Sequence, residues 1–238
     1  MKNRVITISR EFGSGGRTIG KAVAEQLGIP CYDNEILQEI AKESGFEQSY
    51  IQETGEYAPG GFLAAAFSHP ASGPSNADYL WEMQYKLIGQ LAQKGPCVIV
   101  GRCADYILRD KADCLRVFIH ADLSYRAKRI VEVYGEREKS PEQRLKDKDK
   151  RRAAYHRFYT DMKWGHAQNY DLTLNSGTLG IDKCVEIIKS LYKKHPFHKR
   201  LYHKTAGESS SAVFLENFKK QSKSCIFVRN KAPVCGYG

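Results

Sequence analysis

Residues 4–18 read Arg4-Val-Ile-Thr-Ile-Ser9-Arg10-Glu-Phe12-Gly13-Ser14-Gly15-Gly16-Arg17-Thr18. Arg4 to Ser9 is a short β-branched strand, and Phe12-Gly-Ser-Gly-Gly16 is a glycine-rich turn. From Thr18 to Leu27, the residues Ile19, Val23 and Leu27 recur at helical spacing, and Gly28 is a stop signal. A strand that breaks into a glycine turn and then a helix is the anatomy of a phosphate-binding loop. Successive backbone N–H groups point inward, and the glycines let the backbone approach the phosphates. The helix N-terminus adds positive potential.

The string G-x-x-x-x-G-K-[ST] is not met in the register that follows the strand directly. With Gly15 as its second glycine, Gly16 falls on the lysine and Arg17 on the magnesium-binding hydroxyl. A second register, Gly15 to Lys21, matches both glycines and the lysine. It starts five residues late, puts Lys21 inside the helix and replaces Ser/Thr with Ala22. The first register is preferred, because the loop should follow the strand at once. A phosphate chain held there needs its missing cation from Arg10, Arg17 or Lys21, and a hydroxyl from Ser14 or Thr18. An arginine can bridge phosphate oxygens bidentately, so the charge is replaceable.

Outward from this unit the pattern repeats. Further strands are expected at Ile29–Asp33, Cys97–Val100, Leu115–Ile119 and Leu172–Asn175. Helices are expected at about Asn34–Glu43, Tyr79–Lys94, Leu123–Tyr134, Pro141–Tyr159 and Ile181–Tyr192, and residues 55–78 read as loop. Continuous apolar runs separated by helices indicate a parallel sheet covered on both faces. The expectation is a three-layer α/β/α domain over residues 1–194, with residues 195–238 as a basic extension.

The chain has 238 residues, 42% hydrophobic and 27% charged, which excludes wholesale disorder and low-complexity classes. No apolar run reaches the ~18 residues of a membrane span, and a signal-peptide core is missing behind Met1. A soluble, cytoplasmic protein is expected. Seven scattered cysteines contain no C-x-x-C pair, so they read as small core residues rather than a disulfide framework or zinc site. The net charge of +10 is uneven: residues 195–238 hold 8 Lys+Arg against 2 Asp+Glu, and the remainder 29 against 25. A mildly basic body suits a small anionic substrate. The extension carries Tyr202, Phe214, Phe218 and Phe227 among its lysines but no nucleic-acid-binding motif.

More residues then join the loop, in order: Ser9-Arg-Glu-Phe-Gly-Ser-Gly-Gly16, Tyr32-Asp33, Val98-Ile-Val-Gly-Arg102, the G-R-x-A-x-x-I-L string from Gly101 to Leu108, and Asp149-Lys-Arg-Arg152. Together they resemble the cytidylate kinase-like family of P-loop nucleoside monophosphate kinases, over about residues 4–193. The resemblance implies a P-loop NTPase fold with a five-stranded parallel sheet. It also implies an acceptor-binding insertion at about 34–94 and a basic lid at about 140–165. The implied reaction moves the γ-phosphoryl group of ATP to a nucleoside monophosphate, CMP or dCMP, with Mg²⁺. Such chemistry needs two polyanions held in line, their charge neutralised and water excluded.

Under that resemblance Arg10, Gly13, Ser14, Gly15, Gly16, Arg17, Thr18, Arg126 and Arg129 are expected to bind ATP. Arg17, Arg102, Arg151 and Arg152 are expected to serve transfer. Asp33, Arg102, Asp105, Asp149 and Arg152 are expected to bind the acceptor. Asp149 and Arg152 match a D-x-x-R lid motif, the acid reading the cytosine amino edge or orienting the arginine. Asp33 either caps the next helix or orients the acceptor. Cytidylate kinases carry D-G-R-D at the third strand, whereas this chain has Val100-Gly101-Arg102-Cys103, without either acid. Asp105 is near enough in sequence to replace the second. The metal ligands are left unassigned. These losses keep a second reading open, a nucleotide-binding regulatory module without transfer activity.

Overall fold

In the computed structural model, residues 4–54 and 76–194 are described. Five strands form one sheet: β1 (Arg4–Arg10), β2 (Cys31–Tyr32), β3 (Cys97–Val100), β4 (Asp113–His120) and β5 (Leu172–Asn175). Their order is β2-β3-β1-β4-β5, every pairing parallel. The strand that feeds the glycine turn is therefore central. All five fall where the apolar runs place them, because a sheet buried on both faces leaves no polar alternation to confuse the reading.

The helices are α1 (Gly16–Leu27), α2 (Glu35–Ser44), α3 (Gln48–Thr54), α4 (Asn76–Lys94), α5 (Ala104–Ile107), α6 (Leu123–Tyr134), α7 (Pro141–Thr160), α8 (Ser176–Leu179) and α9 (Ile181–Lys194). Alternate strand residues feed two cores. Ile6, Ile8, Val98 and Val100 pack with Ile19 and Val23 of α1 and Val185 and Ile188 of α9. Val5, Cys97 and Ile99 pack with Ile36 and Ile40 of α2, Ile88 of α4 and Tyr155 of α7. The result is the expected three-layer α/β/α arrangement.

Two local features position the site. Ser140 caps α7 by accepting the Gln143 N–H at 3.3 Å, and Pro141 opens the helix. This helix is polar on most sides, and buries only Leu145, Tyr155, His156 and Thr160. The expected loop at 55–78 is corrected at its end, since α4 already begins at Asn76. Residues 55–75 and 195–238 lie outside the described residues.

Candidate active site

At the C-terminal edge of β1 the chain turns directly into α1. Gly13 and Gly15 take left-handed backbone angles, with φ of 81° and 78°. Side chains rarely adopt these angles. A Cβ on Gly13 would stand 2.8 Å from Ile130 Cγ2 and 3.1 Å from the Arg126 carbonyl oxygen. One on Gly16 would stand 2.5 Å from Arg10 Cβ. The loop is thus glycine because of both its curvature and its close neighbours. Ser14 is buried, its hydroxyl 2.9 Å from the Glu11 carbonyl and 3.2 Å from that of Ile119, so it is engaged within the loop. Lys21 is exposed in the second turn of α1, as the first of the two registers requires.

A charged brace lies beneath the loop. Arg126 of α6 is buried; its Nε donates to the Ala121 carbonyl at 2.9 Å and its Nη1 to the Phe12 carbonyl at 3.1 Å. Asp149 of α7 accepts from that same Nη1 at 2.5 Å and from the Phe12 N–H at 2.7 Å. Glu11 completes the group, with one carboxylate oxygen 3.4 Å from Arg126 and accepting the Ala121 N–H at 3.2 Å. Both oxygens of Asp149 are therefore committed to the loop and its brace. The sequence reading has this acid read the cytosine amino edge or orient an arginine; in the structure it ties α7 to the turn after β1 and pairs with Arg126.

The loop opens on a cleft of about 870 Å³. Gly13, Gly15, Gly16 and Thr18 form its floor, and Arg129, Arg144, Arg151 and Arg152 contribute its walls. Arg129 stands beside the cradle: its Nε lies 3.4 Å from where a Gly15 Cβ would be, and its Nη2 donates to Thr18 Oγ1 at 3.0 Å. Arg17 lines the cleft too, but it pairs closely with Asp33 at the end of β2 and donates to Asn34 Oδ1 at 3.3 Å.

Next to the cleft is a far smaller pocket of about 60 Å³ at the end of β3, lined by Arg10, Arg102, Cys103, Arg152, Tyr155 and His156 among others. Gly101, Arg102 and Cys103 all take left-handed angles, with φ of 77°, 57° and 53°. For the two non-glycine residues this costs about 1 kcal/mol or more each. Gln84 of α4 holds the strained turn, donating to the Arg102 carbonyl at 3.1 Å. Arg10 reaches across to this side and lies 3.8 Å from Asp33. Burial, together with the cations of Arg152, Arg102 and Arg17, pushes the Arg10 guanidinium down to about 9, against the opposing pull of Asp33. It is still charged at neutral pH. Arg152 donates to the Arg10 carbonyl at 3.1 Å and stacks over the Phe12 ring. Arg10 and Arg152 line both the cleft and the pocket.

The expected residues therefore divide into three sets. Arg10, Gly13, Gly15, Gly16, Arg17, Thr18, Arg129, Arg151 and Arg152 line the cleft. Arg102 lines the pocket, joined there by Arg10 and Arg152. Ser14, Arg126 and Asp149 are engaged beneath the loop. Asp33 caps no helix: Asn34 precedes α2, and the Asp33 carboxylate pairs with Arg17 and Arg10. Asp105 is buried against His156. Sequence reasoning missed Gln84, Glu11, Tyr155 and His156. For Gln84 a signal exists, a polar residue on the Leu80, Leu87, Leu91 face of α4. The others are defined by partners more than 50 positions away.

A parallel sheet with a glycine cradle beyond its central strand, facing arginines from two later helices, defines a P-loop phosphotransferase. The chain belongs to the cytidylate kinase-like family, whose model matches residues 5–178. It is 30% identical over 187 residues to a cytidylate kinase of Archaeoglobus fulgidus, covering 77% of this chain and 91% of that protein. Among solved structures, an uncharacterised protein from Eubacterium ventriosum is 30% identical, with a TM-score of 0.62 over 80% of this chain and 99% of that one. A gluconokinase from Sinorhizobium meliloti is 17% identical, with a TM-score of 0.50 over 92% of this chain and 98% of that one, a likeness of fold alone. Among the described residues no helix is long and apolar enough to cross a membrane.

Proposed function

We propose that this protein transfers the γ-phosphoryl group of ATP to a nucleoside monophosphate, with CMP or dCMP as the preferred acceptor. The observation that carries the reading is the shared wall: the large cleft over the glycine loop and the small pocket beyond β3 meet at Arg10 and Arg152. In this reading the donor's phosphates lie along the amides of residues 13–18, with Arg129 and Arg151 beside them. The acceptor's phosphate meets Arg102. Arg10 and Arg152 stand between the two anions, where charge builds up during transfer. Removing repulsion between two polyanions and holding them in line is most of what phosphoryl transfer asks of a protein. The acceptor is itself a phosphate, already anionic at neutral pH, so it needs no strong base.

The cradle suits a phosphate chain, since Gly13, Gly15, Gly16 and Thr18 line the cleft and Gly13 and Gly15 take the left-handed angles that curve the backbone there. For Mg²⁺, the described residues offer no group of three or more His, Cys, Asp or Glu side chains able to hold an ion. That suits an ion bound mainly by phosphates and water, with the Thr18 hydroxyl as the protein's contribution. When bound, Mg²⁺ neutralises charge on the transferring phosphate. We assign the reaction to residues 1–194, with an acceptor insertion at about 34–94 and a lid at about 140–165.

The test is a coupled assay with ATP, Mg²⁺ and each common nucleoside monophosphate. Turnover is expected, fastest with CMP or dCMP. Folded protein that binds ATP by titration calorimetry yet turns over no acceptor would instead support the regulatory module. Departure of the β3 end from the family's D-G-R-D string is the feature that favours that alternative.

A further inference from the structure

Asp105 and His156 meet between the two elements that carry the pocket arginines. Asp105 stands three residues beyond Arg102, on α5, and His156 stands four residues beyond Arg152, on α7. His156 Nε2 is 3.3 Å from Asp105 Oδ2, and both side chains are almost wholly buried. Asp105 Oδ1 has no hydrogen-bond partner among the described residues. His156 lines the small pocket.

The hydrogen bonds around His156 fix its proton count. Nδ1 lies 3.2 Å from the Met162 carbonyl oxygen, which can only accept. It also lies 3.1 Å from Thr160 Oγ1. The single hydroxyl hydrogen of Thr160 is directed at the His156 carbonyl at 2.5 Å, and its oxygen accepts from the Met162 N–H. Thr160 therefore has no hydrogen to give, and Nδ1 must itself carry one. If the ring held only that hydrogen, Nε2 would present a lone pair to a carboxylate oxygen. The contact closes only with one further proton between Nε2 and Oδ2, as imidazolium with carboxylate or as imidazole with carboxylic acid. The pair is then neutral; without that proton it carries a buried negative charge.

We propose that Asp105 and His156 share one proton and that this dyad positions Arg102 and Arg152 for the acceptor's phosphate. The positioning half rests on the function proposed above. The titratable and charged groups facing the dyad are Arg102 and Cys103 from the turn after β3, Arg152 and Tyr155 from α7, Arg10 from β1, Cys114 from β4 and Tyr170 ahead of β5. Burial pushes the Cys103 thiol and the Tyr155 and Tyr170 phenols up, and Cys114 up to about 12. The dyad joins α5, just past the turn that carries Arg102, to α7, which carries Arg152, so its hydrogen bond fixes the two elements against each other.

Two measurements test this. In the full-length chain labelled with ¹⁵N-histidine, His156 is assigned by the signal lost in His156→Gln. Its Nδ1 is expected to carry hydrogen at neutral pH, with Nε2 protonated or hydrogen-bonded to a proton on Asp105. A bare Nδ1 would overturn the proton count, whatever the enzyme acts on. In the coupled assay, Asp105→Ala is expected to raise KM for CMP about tenfold and leave KM for ATP within about twofold. Asp105→Asn can donate an N–H to the Nε2 lone pair and is expected to keep KM for CMP within about threefold of the parent. An unchanged KM in folded Asp105→Ala, or a rise in Asp105→Asn as large as in Asp105→Ala, would overturn the positioning role. If no monophosphate is turned over by the parent, the functional reading fails by itself. Calorimetric binding of inorganic phosphate then replaces KM as the readout, with the same expected and overturning results.

Discussion

The two halves of the site are built differently. In the proposed reading the donor half is a cleft of about 870 Å³, floored by backbone amides and walled by arginines that are mostly half-buried or exposed. The acceptor half is a pocket of about 60 Å³ between β1, the turn after β3 and α7. A phosphate chain has room in the first as it stands, whereas a nucleotide needs the second to widen by a shift of α7. That helix is clasped to α4 by Tyr159 stacked on Trp81, centroids 4.2 Å apart, and by the Tyr159 hydroxyl donating to the Ala77 carbonyl at 3.3 Å. On this reading the donor half is preformed, and acceptor binding is coupled to the movement of the helix that also carries Arg152.

The sharpest way to break this contrast is at the brace. Asp149→Ala removes the nearer of the two carboxylates beside buried Arg126, leaving Glu11 at 3.4 Å, and removes the acceptor for the Phe12 N–H. Loss of one member of a buried ion pair costs about 3–5 kcal/mol, and a fall of that size in urea unfolding is expected. Asp149→Asn, which still accepts one hydrogen bond, should lose less. A loss below about 1 kcal/mol in Asp149→Ala would mean that the donor half is not preformed by this contact.

The shared wall comes next. Arg152→Ala removes a cation from both halves and Arg102→Ala from the acceptor half alone. Each is expected to lower kcat/KM on the order of 100-fold, equivalent to ~3 kcal/mol. The split sharpens the comparison. Arg152→Ala should affect kcat and both KM values, whereas Arg102→Ala should spare KM for ATP. Effects below threefold at both would place the chemistry elsewhere.

A smaller effect requires no substitution. Burial depresses Arg10 most, and the neighbouring cations of Arg152, Arg102 and Arg17 repel it further. A bound anion relieves the repulsion. Pyrophosphate, long enough to lie along the loop, should raise Tm more than phosphate does. At 100 times its Kd it adds about 2.7 kcal/mol. Equal shifts from chloride at the same ionic strength would show general screening instead of a built anion site.

Much of the donor half was legible in the sequence, and the reason is local. Gly13 and Gly15 are required by backbone angles within a few residues of each other, and β1 and α1 flank them directly. The brace beneath the loop depends on long-range partners. Asp149 lies 137 positions from the Phe12 N–H that it accepts, so no spacing rule reveals that it faces the loop. Arg126 has the same difficulty. An arginine at a helix surface position normally reads as exposed, yet here it is buried because three oxygen acceptors surround it. The short helices α3, α5 and α8 were missed for another reason. Four to seven residues span at most two turns, too few for periodicity to separate helix from loop.

The smallest expected effect concerns the floor of the acceptor half. Cys97 and Cys103 belong to the core beneath that pocket and Cys114 packs against it, while no cysteine lines the donor cleft. Burial pushes Cys97 and Cys114 up to about 12 from an ordinary value of 9.0. The folded chain keeps these protons where the unfolded chain loses them. Their contribution to stability is therefore complete below about pH 9 and declines as pH rises toward 12. One unit above the unfolded value, a buried thiol such as Cys97 should account for about 1 kcal/mol of lost stability. Cys97→Ala creates a cavity and starts from lower stability, but its curve should be flatter above pH 9. That change of slope separates ionisation from packing, because a cavity costs the same at every pH. Parallel curves for the parent and Cys97→Ala would show that this thiol ionises equally in both states, and that the acceptor half is wetter than its burial implies.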